Sequence, residues 1–382
     1  MNQLKGLTNI GAADIIGTGI AAGFWFYLAI LISPESYGEL HYLLSIAGIV
    51  SYLTLVGSQN TIIVYVAKKI QIQSTFNFIS LITAIFGFII LFLIFDRIDI
   101  GFLVLGYTIN NLVIGELLGK KEYKTYLKYI LIQKISTPIF GISFFLGFGM
   151  EGVIYGLALT YTAFYFRIIN NFKKIKIDFS LLSKRKGFII NNYFIALTGT
   201  FHGQVDKLIV MPILGSVILG NYALSLQIIG VMMIITSIFF KYMVPEQSSG
   251  KNIKQLQKIL IISSVGLTLL GLLVVPSILP MIFPEYLDSI DSIRIMSLGI
   301  IPMSIIQIYT SKFLALEKSK FIIISLVVSL SVLIPTMIIF GKWYGVSGIA
   351  ISFVISTIIQ STYFFIVNKK WVKKEQEYKG EK

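Results

Sequence analysis

A small set of ionisable side chains lies inside long apolar stretches of this chain. An ionisable group at bilayer depth costs about 3 kcal/mol or more, so it must face protein, water or a ligand. The cationic members suit a phosphate, and the acidic members suit a cation or one another. The set consists of Asp14, Lys134, Arg167, His202, Asp206 and Lys207.

Neutral polar side chains recur in the same stretches and suit a sugar, whose hydroxyls bind amides, hydroxyls and aromatic faces. Together the two sets predict a polar cavity for a sugar joined to a phosphate. The alternative is that the charges pair with one another and only hold helices together. The main neutral candidates are Asn60, Asn110 and Asn111, followed by Gln59, Gln204, Asn191, Asn192, Tyr107 and Tyr161.

Depth in the membrane separates the charged candidates. Lys134 lies about nine residues into its apolar stretch, roughly 13 Å from the inner end at about 1.5 Å per residue. That depth favours substrate binding, with Asp14 as a candidate resting partner. Arg167 and Glu116 lie closer to the inner surface, which favours snorkelling to water.

The charges near the middle of the chain leave more than one interpretation open. For Asp206 and Lys207, substrate binding and helix pairing are equally good interpretations. His202 lies one turn before Asp206 on the same helical face. A single histidine there favours a hydrogen-bonded structural role over a proton relay.

The composition indicates a membrane protein. Of the 382 residues, 55% are hydrophobic and 13% are charged, with a mean hydropathy of +0.83. Ordinary soluble domains have about 25% charged residues. Apolar runs of about twenty residues exclude a barrel, whose strands need about ten. The net charge of +14 fits basic cytoplasmic loops beside anionic headgroups rather than nucleic acid.

The apolar runs predict an all-α polytopic protein with twelve membrane spans. Lysines and arginines concentrate in alternate loops, whereas the outer loops carry only Arg97, Arg294 and Lys342. This asymmetry places both termini in the cytoplasm. The predicted spans are roughly 9–32, 41–66, 76–95, 100–119, 125–147, 151–171, 188–214, 217–243, 257–283, 290–314, 320–341 and 346–368.

An internal repeat divides the chain into two halves. Gly149 opens the sixth predicted span and Gly345 opens the twelfth, at an offset of 196 residues, and basic pairs follow both spans at the same offset. Such a repeat predicts two six-helix bundles related by an axis along the membrane normal. The predicted organisation is an N-terminal bundle (1–171), a basic cytoplasmic linker (172–187), a C-terminal bundle (188–368) and a charged cytoplasmic tail (369–382).

Short motifs along the whole chain carry a family resemblance. They are V-D-K-L-I-V-M-P-I-L-G-S-V-I-L-G-N-Y-A at 205–223, L-I-S-P-E-S-Y-G-E-L at 31–40, G-S-Q-N-T-I-I at 57–63, F-P-E-Y at 283–286 and S-K-F-L-A-L-E-K-S-K at 311–320. In order and spacing the chain resembles the prokaryotic polysaccharide flippases (Wzx-type oligosaccharide-lipid exporters). These belong to the multidrug/oligosaccharidyl-lipid/polysaccharide (MOP) superfamily.

The resemblance implies two bundles in a V around a central, partly hydrated cavity. It also implies alternating access, with export of a lipid-linked oligosaccharide from the inner to the outer leaflet of a prokaryotic cell membrane. It implies no resident cofactor and leaves coupling to a Na⁺ or H⁺ gradient open. The expected partners are the lipid-linked substrate and membrane lipids, with association to polysaccharide assembly proteins left open, and the expected functional form is a monomer.

Two other classes of function compete with a flippase. A cation-coupled multidrug or metabolite antiporter of the same superfamily would share the fold and use a buried acid such as Asp14. An integral-membrane polysaccharide polymerase or glycosyltransferase would need a catalytic set of side chains. The sequence has no Ser-His-Asp pattern, metal-ligand cluster or phosphate-binding glycine loop, so we do not expect an enzyme.

Overall fold

The computed structural model describes residues 2–56, 58–70, 72–172, 177–183, 185–248, 253–316 and 318–380. Every regular element in these ranges is a helix, in agreement with the all-α prediction. The helices are α1 (Asn2–Leu31), α2 (Pro34–Thr54), α3 (Ser58–Ala67), α4 (Gln73–Phe95), α5 (Ile98–Gly119), α6 (Tyr123–Leu159), α7 (Thr162–Phe172), α8 (Ser180–Ser183), α9 (Lys186–Leu214), α10 (Ser216–Met232), α11 (Ile234–Ser248), α12 (Lys254–Leu269), α13 (Val275–Ile282), α14 (Ser289–Ser297), α15 (Ile300–Ala315) and α16 (Ser319–Gly380).

Several of these helices are suited to crossing a membrane. In the described ranges, five stretches are long and apolar enough, or up to eight if each bent pair counts as one span. Two of the five, Tyr123–Ile169 with 47 residues and Ser319–Lys370 with 52, are about twice the length that a bilayer requires. The chain is therefore a multi-span membrane protein. The number of twelve spans and the cytoplasmic termini remain predictions.

Each double-length stretch is broken at a glycine. Gly149 has φ 65° and ψ −148°, and Gly345 has φ 56° and ψ −131°. Only glycine adopts this region readily, because it has no Cβ. The two breaks lie where the sixth and twelfth spans were predicted to begin.

The helix that follows each break packs tightly on the one before it. A Cβ added at Gly152 would overlap the carbonyl oxygen of Phe144, and one added at Gly348 would overlap that of Phe340. Both the glycines and the phenylalanines are 196 residues apart. The internal repeat therefore extends from sequence to backbone conformation and packing.

Three spans predicted as single helices are bent pairs. The angles are 42° between α2 and α3, 50° between α10 and α11, and 45° between α14 and α15. At the first bend, the hydroxyl of Tyr193 donates to the carbonyl of Leu53 at 3.1 Å, and that of Thr83 donates to the carbonyl of Thr54 at 2.7 Å. A break in a membrane helix persists where side chains satisfy the freed backbone groups.

A different irregularity lies between α12 and α13. The five residues Leu270–Val274 form a π-helical turn, which Pro276 follows. Proline has no N–H for the i−4 carbonyl, so the helix before it adjusts its hydrogen bonding. This π-helical turn is a different kind of irregularity from the three bent pairs.

The chain forms two compact units. The first contains Met1–Leu28 and Leu40–Leu208, and the second contains Ala29–Glu39 and Ile209–Lys382. The predicted division into two six-helix halves with a linker at 172–187 remains a prediction, since part of that linker lies outside the described residues.

Helix α5 is central to the first unit, where it packs against α3, α4, α6 and α7. Two of its glycines permit close approach: Gly106 lies against the ring of Tyr161, and Gly115 lies against Ile62. A larger residue at Gly106 would have to displace a buried aromatic ring. This dense packing gives the first unit a rigid scaffold.

In the second unit, the segment Ala29–Glu39 is held against α10 and the loop before α14. A Cβ added at Gly38 would overlap the carbonyl of Ser216, and one added at Gly220 would overlap the carbonyl of Pro34. The buried hydroxyl of Tyr286 donates to the carbonyl of Ile32 at 2.9 Å. The segment is therefore fixed both by backbone contact and by a hydrogen bond.

Candidate functional site

A polar cavity of about 400 Å³ lies in the first unit, where α2 bends into α3 and one face of α9 passes by. Every lining residue is uncharged. The lining residues are Tyr52 of α2, Gln59 and Asn60 of α3, and Ala196, Gly199, Thr200, Gly203 and Gln204 of α9.

Small residues on α9 create the space. Gly199 and Gly203 lie one turn apart, and a Cβ added at either would have no neighbour within 4 Å. Tyr52 of α2 and Thr200 of α9 both line the cavity, and Gln204 packs over Gly48 of α2. The cavity is thus lined by two glycines of α9 and by hydroxyl and amide groups.

An ion pair lies one turn beyond the cavity on α9. The ammonium of Lys207 donates to the carbonyl of Gly203 at 3.2 Å and to the Asp206 carboxylate at 3.3 Å. The same carboxylate oxygen accepts the backbone N–H of Lys207 at 2.8 Å. The side chains of Lys207 and Asp206 are only 13% and 10% exposed, so their charges interact in a medium of reduced dielectric.

Two histidines lie within electrostatic range of this ion pair. His202 lies one turn before Asp206 and interacts with it electrostatically. His41 of α2 is buried, and Lys207 acts on it electrostatically. The ring of His41 lies 5.0 Å from that of Trp25 of α1. Sequence reasoning missed His41, although a histidine in an apolar stretch was a signal that could have identified it.

Lys134 lies in another part of the first unit. Its side chain packs over Gly17 of α1, with Cγ 3.1 Å from the position of a Cβ there. Gly17 follows Asp14 by three residues, which is less than one helical turn. The side chain of Asp14 lies outside the described residues, so its pairing with Lys134 remains a prediction.

Arg167 belongs to a separate ion cluster. It pairs with Glu116 at 3.2 Å and with Glu122 at 2.8 Å, and its guanidinium lies 5.9 Å from the ring centroid of Tyr129. Lys120 is a second partner of Glu116, at 2.5 Å. Glu116 is therefore buried rather than snorkelling, because two cations compensate its charge. Arg167 does not line the polar cavity.

Two of the main candidates, Asn110 and Asn111, lie in α5, which packs against α3. The Asn111 amide donates to the carbonyl of Tyr107 at 2.9 Å, and Asn110 is likewise absent from the cavity lining. The structure thus brings Asn60 to a cavity flanked by His202, Asp206 and Lys207, but places Lys134, Arg167 and the α5 asparagines elsewhere. In the described part of the chain, no three His, Asp or Glu side chains converge as a metal site.

Comparison with known proteins identifies the fold. No protein-family model matches the chain, and no curated protein sequence matches it. Solved structures do match. The inward-facing conformation of a multidrug resistance MATE family transporter of the MOP superfamily aligns with a TM-score of 0.71 and 14% identity, over 94% of this chain and 95% of that one.

Two further structures agree with this fold. The lipid II flippase MurJ in an inward closed conformation aligns with a TM-score of 0.71 and 16% identity, over 94% of this chain and 87% of MurJ. A MOP superfamily transporter from Pyrococcus furiosus Vc1 aligns with a TM-score of 0.60 and 14% identity, over 97% and 96% of the two chains. The chain therefore has the helical membrane fold that MATE transporters and MurJ share.

Proposed function

We propose that this protein is a flippase that moves lipid-linked oligosaccharide precursors from the inner to the outer leaflet of a prokaryotic cell membrane by alternating access. The observation that carries the proposal is the uncharged polar cavity of α2, α3 and α9, with one lysine a helical turn away. The likeness to a lipid II flippase supports the same class of substrate.

The chemistry of the cavity fits a sugar. Gln59, Asn60 and Gln204 each offer both donors and acceptors, and Tyr52 and Thr200 offer hydroxyls. Such groups match the hydroxyls of a sugar without a charge that would have to be desolvated. The volume of about 400 Å³ lies in the range typical of small-ligand sites, about 300–1,000 Å³.

The lysine beside the cavity fits the linkage between sugar and lipid. That linkage is a phosphate or pyrophosphate, which needs cationic partners while it crosses the membrane. Lys207 is suitably placed, one turn beyond Gly203 at the cavity wall. The lipid chain itself needs no polar partner and stays in the bilayer.

A cation-coupled drug or metabolite antiporter is the second candidate, and the acid Asp206 beside the cavity favours it. A site for cationic drugs would, however, place a carboxylate in the lining. None of the eight lining residues is acidic. We therefore rank the flippase first.

A transport assay in proteoliposomes tests this choice. The purified protein should move a fluorescently labelled lipid-linked oligosaccharide between leaflets, as read by chemical quenching of the outer leaflet. The double substitution Asn60→Ala and Gln204→Ala should slow transport about tenfold, since about 1.4 kcal/mol of binding is lost. The matched control is Gln255→Ala, an exposed glutamine of α12, which should transport at the native rate.

Three other results would contradict the proposal or the site on which it rests. Gradient-driven export of a cationic dye without movement of the labelled lipid would identify an antiporter. Lengthening of the labelled oligosaccharide during the assay would identify a polymerase or transferase. Equal transport by the double variant and the control would remove the α9 cavity from the site.

A further inference from the structure

Helices α3 and α5 end side by side in the first unit. A Cβ added at Gly115 would lie 3.2 Å from the Cβ of Ile62. One turn later, a Cβ added at Gly119 would lie 2.7 Å from that of Val66. Both contacts advance by four residues, so the two helices run in the same direction. They end at Ala67 and Gly119, on the side that the loop charges predict to be cytoplasmic.

Both helices are followed by a pair of lysines, Lys68–Lys69 and Lys120–Lys121, which we name the inner lysine cluster. The second lysine of each pair has a positive φ, 58° at Lys69 and 59° at Lys121. In both turns the next N–H donates to the carbonyl five residues back, at 2.9 Å. This is the Schellman motif, in which the positive-φ residue is usually glycine. A lysine there is conformationally unfavourable, so its presence in both turns favours a use for the charge.

The inner lysine cluster is exposed and has little negative charge around it. All four side chains are exposed. Lys120 pairs with Glu116 at 2.5 Å, whereas the other three lysines form no ion pair with any part of the chain that the structure describes. The next acid in sequence, Glu122, is paired with Arg167 at 2.8 Å. The cluster therefore keeps a net positive charge.

A fifth cation approaches the same end of α3. The guanidinium of Arg185 lies 5.4 Å from the ring centroid of Tyr65, four residues before Lys69. Several cations close together suit a group with more than one negative charge. Phosphatidylglycerol, an ordinary anionic headgroup, carries a single charge, whereas a pyrophosphate carries more. A lipid pyrophosphate thus fits the cluster better than a common phospholipid does.

Helix α3 connects the inner lysine cluster to the polar cavity. Gln59 and Asn60 of the cavity lining belong to the first turn of α3. Lys68 follows Asn60 by eight residues, a distance of about 12 Å along a helix. Lys207 lies beyond the cavity on α9. A pyrophosphate at the cluster can therefore carry a sugar that reaches into the cavity.

We propose that the inner lysine cluster is the loading site for the pyrophosphate of the lipid-linked substrate; this inference rests on the proposed function. The ammonium groups donate charge-assisted hydrogen bonds to the pyrophosphate oxygens at the level of the inner headgroups. The lipid chain remains in the bilayer while the sugar enters the cavity. No covalent bond changes, and the phosphate moves on to Lys207 during transport.

Binding of a short lipid pyrophosphate tests the site. Full-length protein in phosphatidylcholine nanodiscs is titrated with farnesyl pyrophosphate by calorimetry, with farnesol as the uncharged control. The double substitution Lys69→Gln and Lys121→Gln should weaken binding about tenfold or more, because charge-assisted hydrogen bonds are lost. The matched control, Lys369→Gln with Lys370→Gln, removes the same charge from an exposed pair of α16 and should bind as wild type.

Glycine substitutions separate binding from folding. Lys69→Gly with Lys121→Gly restores the residue that the Schellman motif favours, so the melting temperature should stay unchanged or rise. Affinity for farnesyl pyrophosphate should nevertheless fall as in the glutamine variant. Lys69→Arg with Lys121→Arg retains both charges and should keep most of the affinity. Lysines that served only to end the two helices would leave binding by the glycine variant unchanged.

The outcomes separate the two proposals. Unchanged binding by the glutamine variant, an equal loss in its matched control, or a wild type that prefers farnesol overturns the loading site and leaves the flippase. Displacement of farnesyl pyrophosphate by phosphatidylglycerol in the nanodisc identifies a common headgroup as the occupant and overturns the assignment to substrate. Lysine-dependent binding without movement of the labelled lipid-linked oligosaccharide in proteoliposomes overturns the proposed function, while the pyrophosphate site itself stands.

Discussion

Substitution of Gly220 by alanine should destabilise the protein, although alanine is the better helix former. In an open helical position the change would stabilise α10 by about 1 kcal/mol. Here the added Cβ would overlap the carbonyl oxygen of Pro34. That atom belongs to backbone and cannot rotate away, so the segment Ala29–Glu39 must move. Overpacking of this kind costs about 1–3 kcal/mol; after the gain of about 1 kcal/mol from helix propensity is subtracted, we expect a net loss of up to about 2 kcal/mol.

The helix itself supplies a matched control. Gly230 lies in the same helix α10, and a Cβ there would meet nothing within 4 Å. Gly230→Ala should therefore leave stability unchanged or raise it. Thermal unfolding of detergent-solubilised protein, followed by loss of the monodisperse peak, should place the Gly220→Ala melting temperature several degrees lower. The conversion is at most about 2–4 °C per kcal/mol for a chain of this size.

A double substitution examines the geometry more closely. Gly38 faces the same crossing, where an added Cβ would lie 2.8 Å from the backbone nitrogen of Gly220. Once one substitution has separated the two backbones, the second costs less, so Gly38→Ala and Gly220→Ala together should lose less than the sum of their separate losses. A Gly220→Ala protein as stable as Gly230→Ala would refute the close crossing on which this reasoning depends.

Two further substitutions test the hydrogen bond of Tyr286 and the helix break at Gly345. Tyr286→Phe removes the hydroxyl that donates to the carbonyl of Ile32 and leaves that buried acceptor without its hydrogen bond. The free energy of unfolding should fall by about 1–3 kcal/mol. Tyr242→Phe, at a 57% exposed position, should have no effect in the same thermal assay. Gly345→Ala places a side chain on a residue with positive φ, a backbone conformation that favours glycine, and should lower stability by about 1–3 kcal/mol. Gly147→Ala, where φ is negative and an added Cβ has no neighbour within 4 Å, should not lower it. Equal melting temperatures for Gly345→Ala and Gly147→Ala would contradict the strained break.

The sequence predicted those features of the fold that depend on local composition. Apolar runs indicate helices, and the glycines at 149 and 345 mark helix starts because their effect is local. The bend after Thr54 could not be predicted in this way. It depends on hydroxyls of Thr83 and Tyr193, which lie far away in sequence and satisfy carbonyls at the bend.

The same distinction between local features and long-range contacts applies to the candidate site. Asn60 and Lys207 belong to apolar stretches and were recognisable as polar exceptions. Arg167 was equally exceptional, but Glu116 and Glu122 hold it in a separate cluster, and only tertiary structure reveals such a choice of partners. His41 was also recognisable as a polar exception in an apolar stretch, but its interaction with Lys207 depends on tertiary structure.

The contact between Trp25 and His41 makes the fluorescence of Trp25 sensitive to the charges around His41. The chain has three tryptophans: Trp343 is 69% exposed, and the side chain of Trp371 lies outside the described residues. Replacing these two by phenylalanine leaves a single indole, 5.0 Å from an imidazole that feels the charge of Lys207. Movement of the Lys207 ammonium would alter the electric field at the indole. The fluorescence emission of Trp25 should therefore report a rearrangement of the Lys207 side chain without any attached dye.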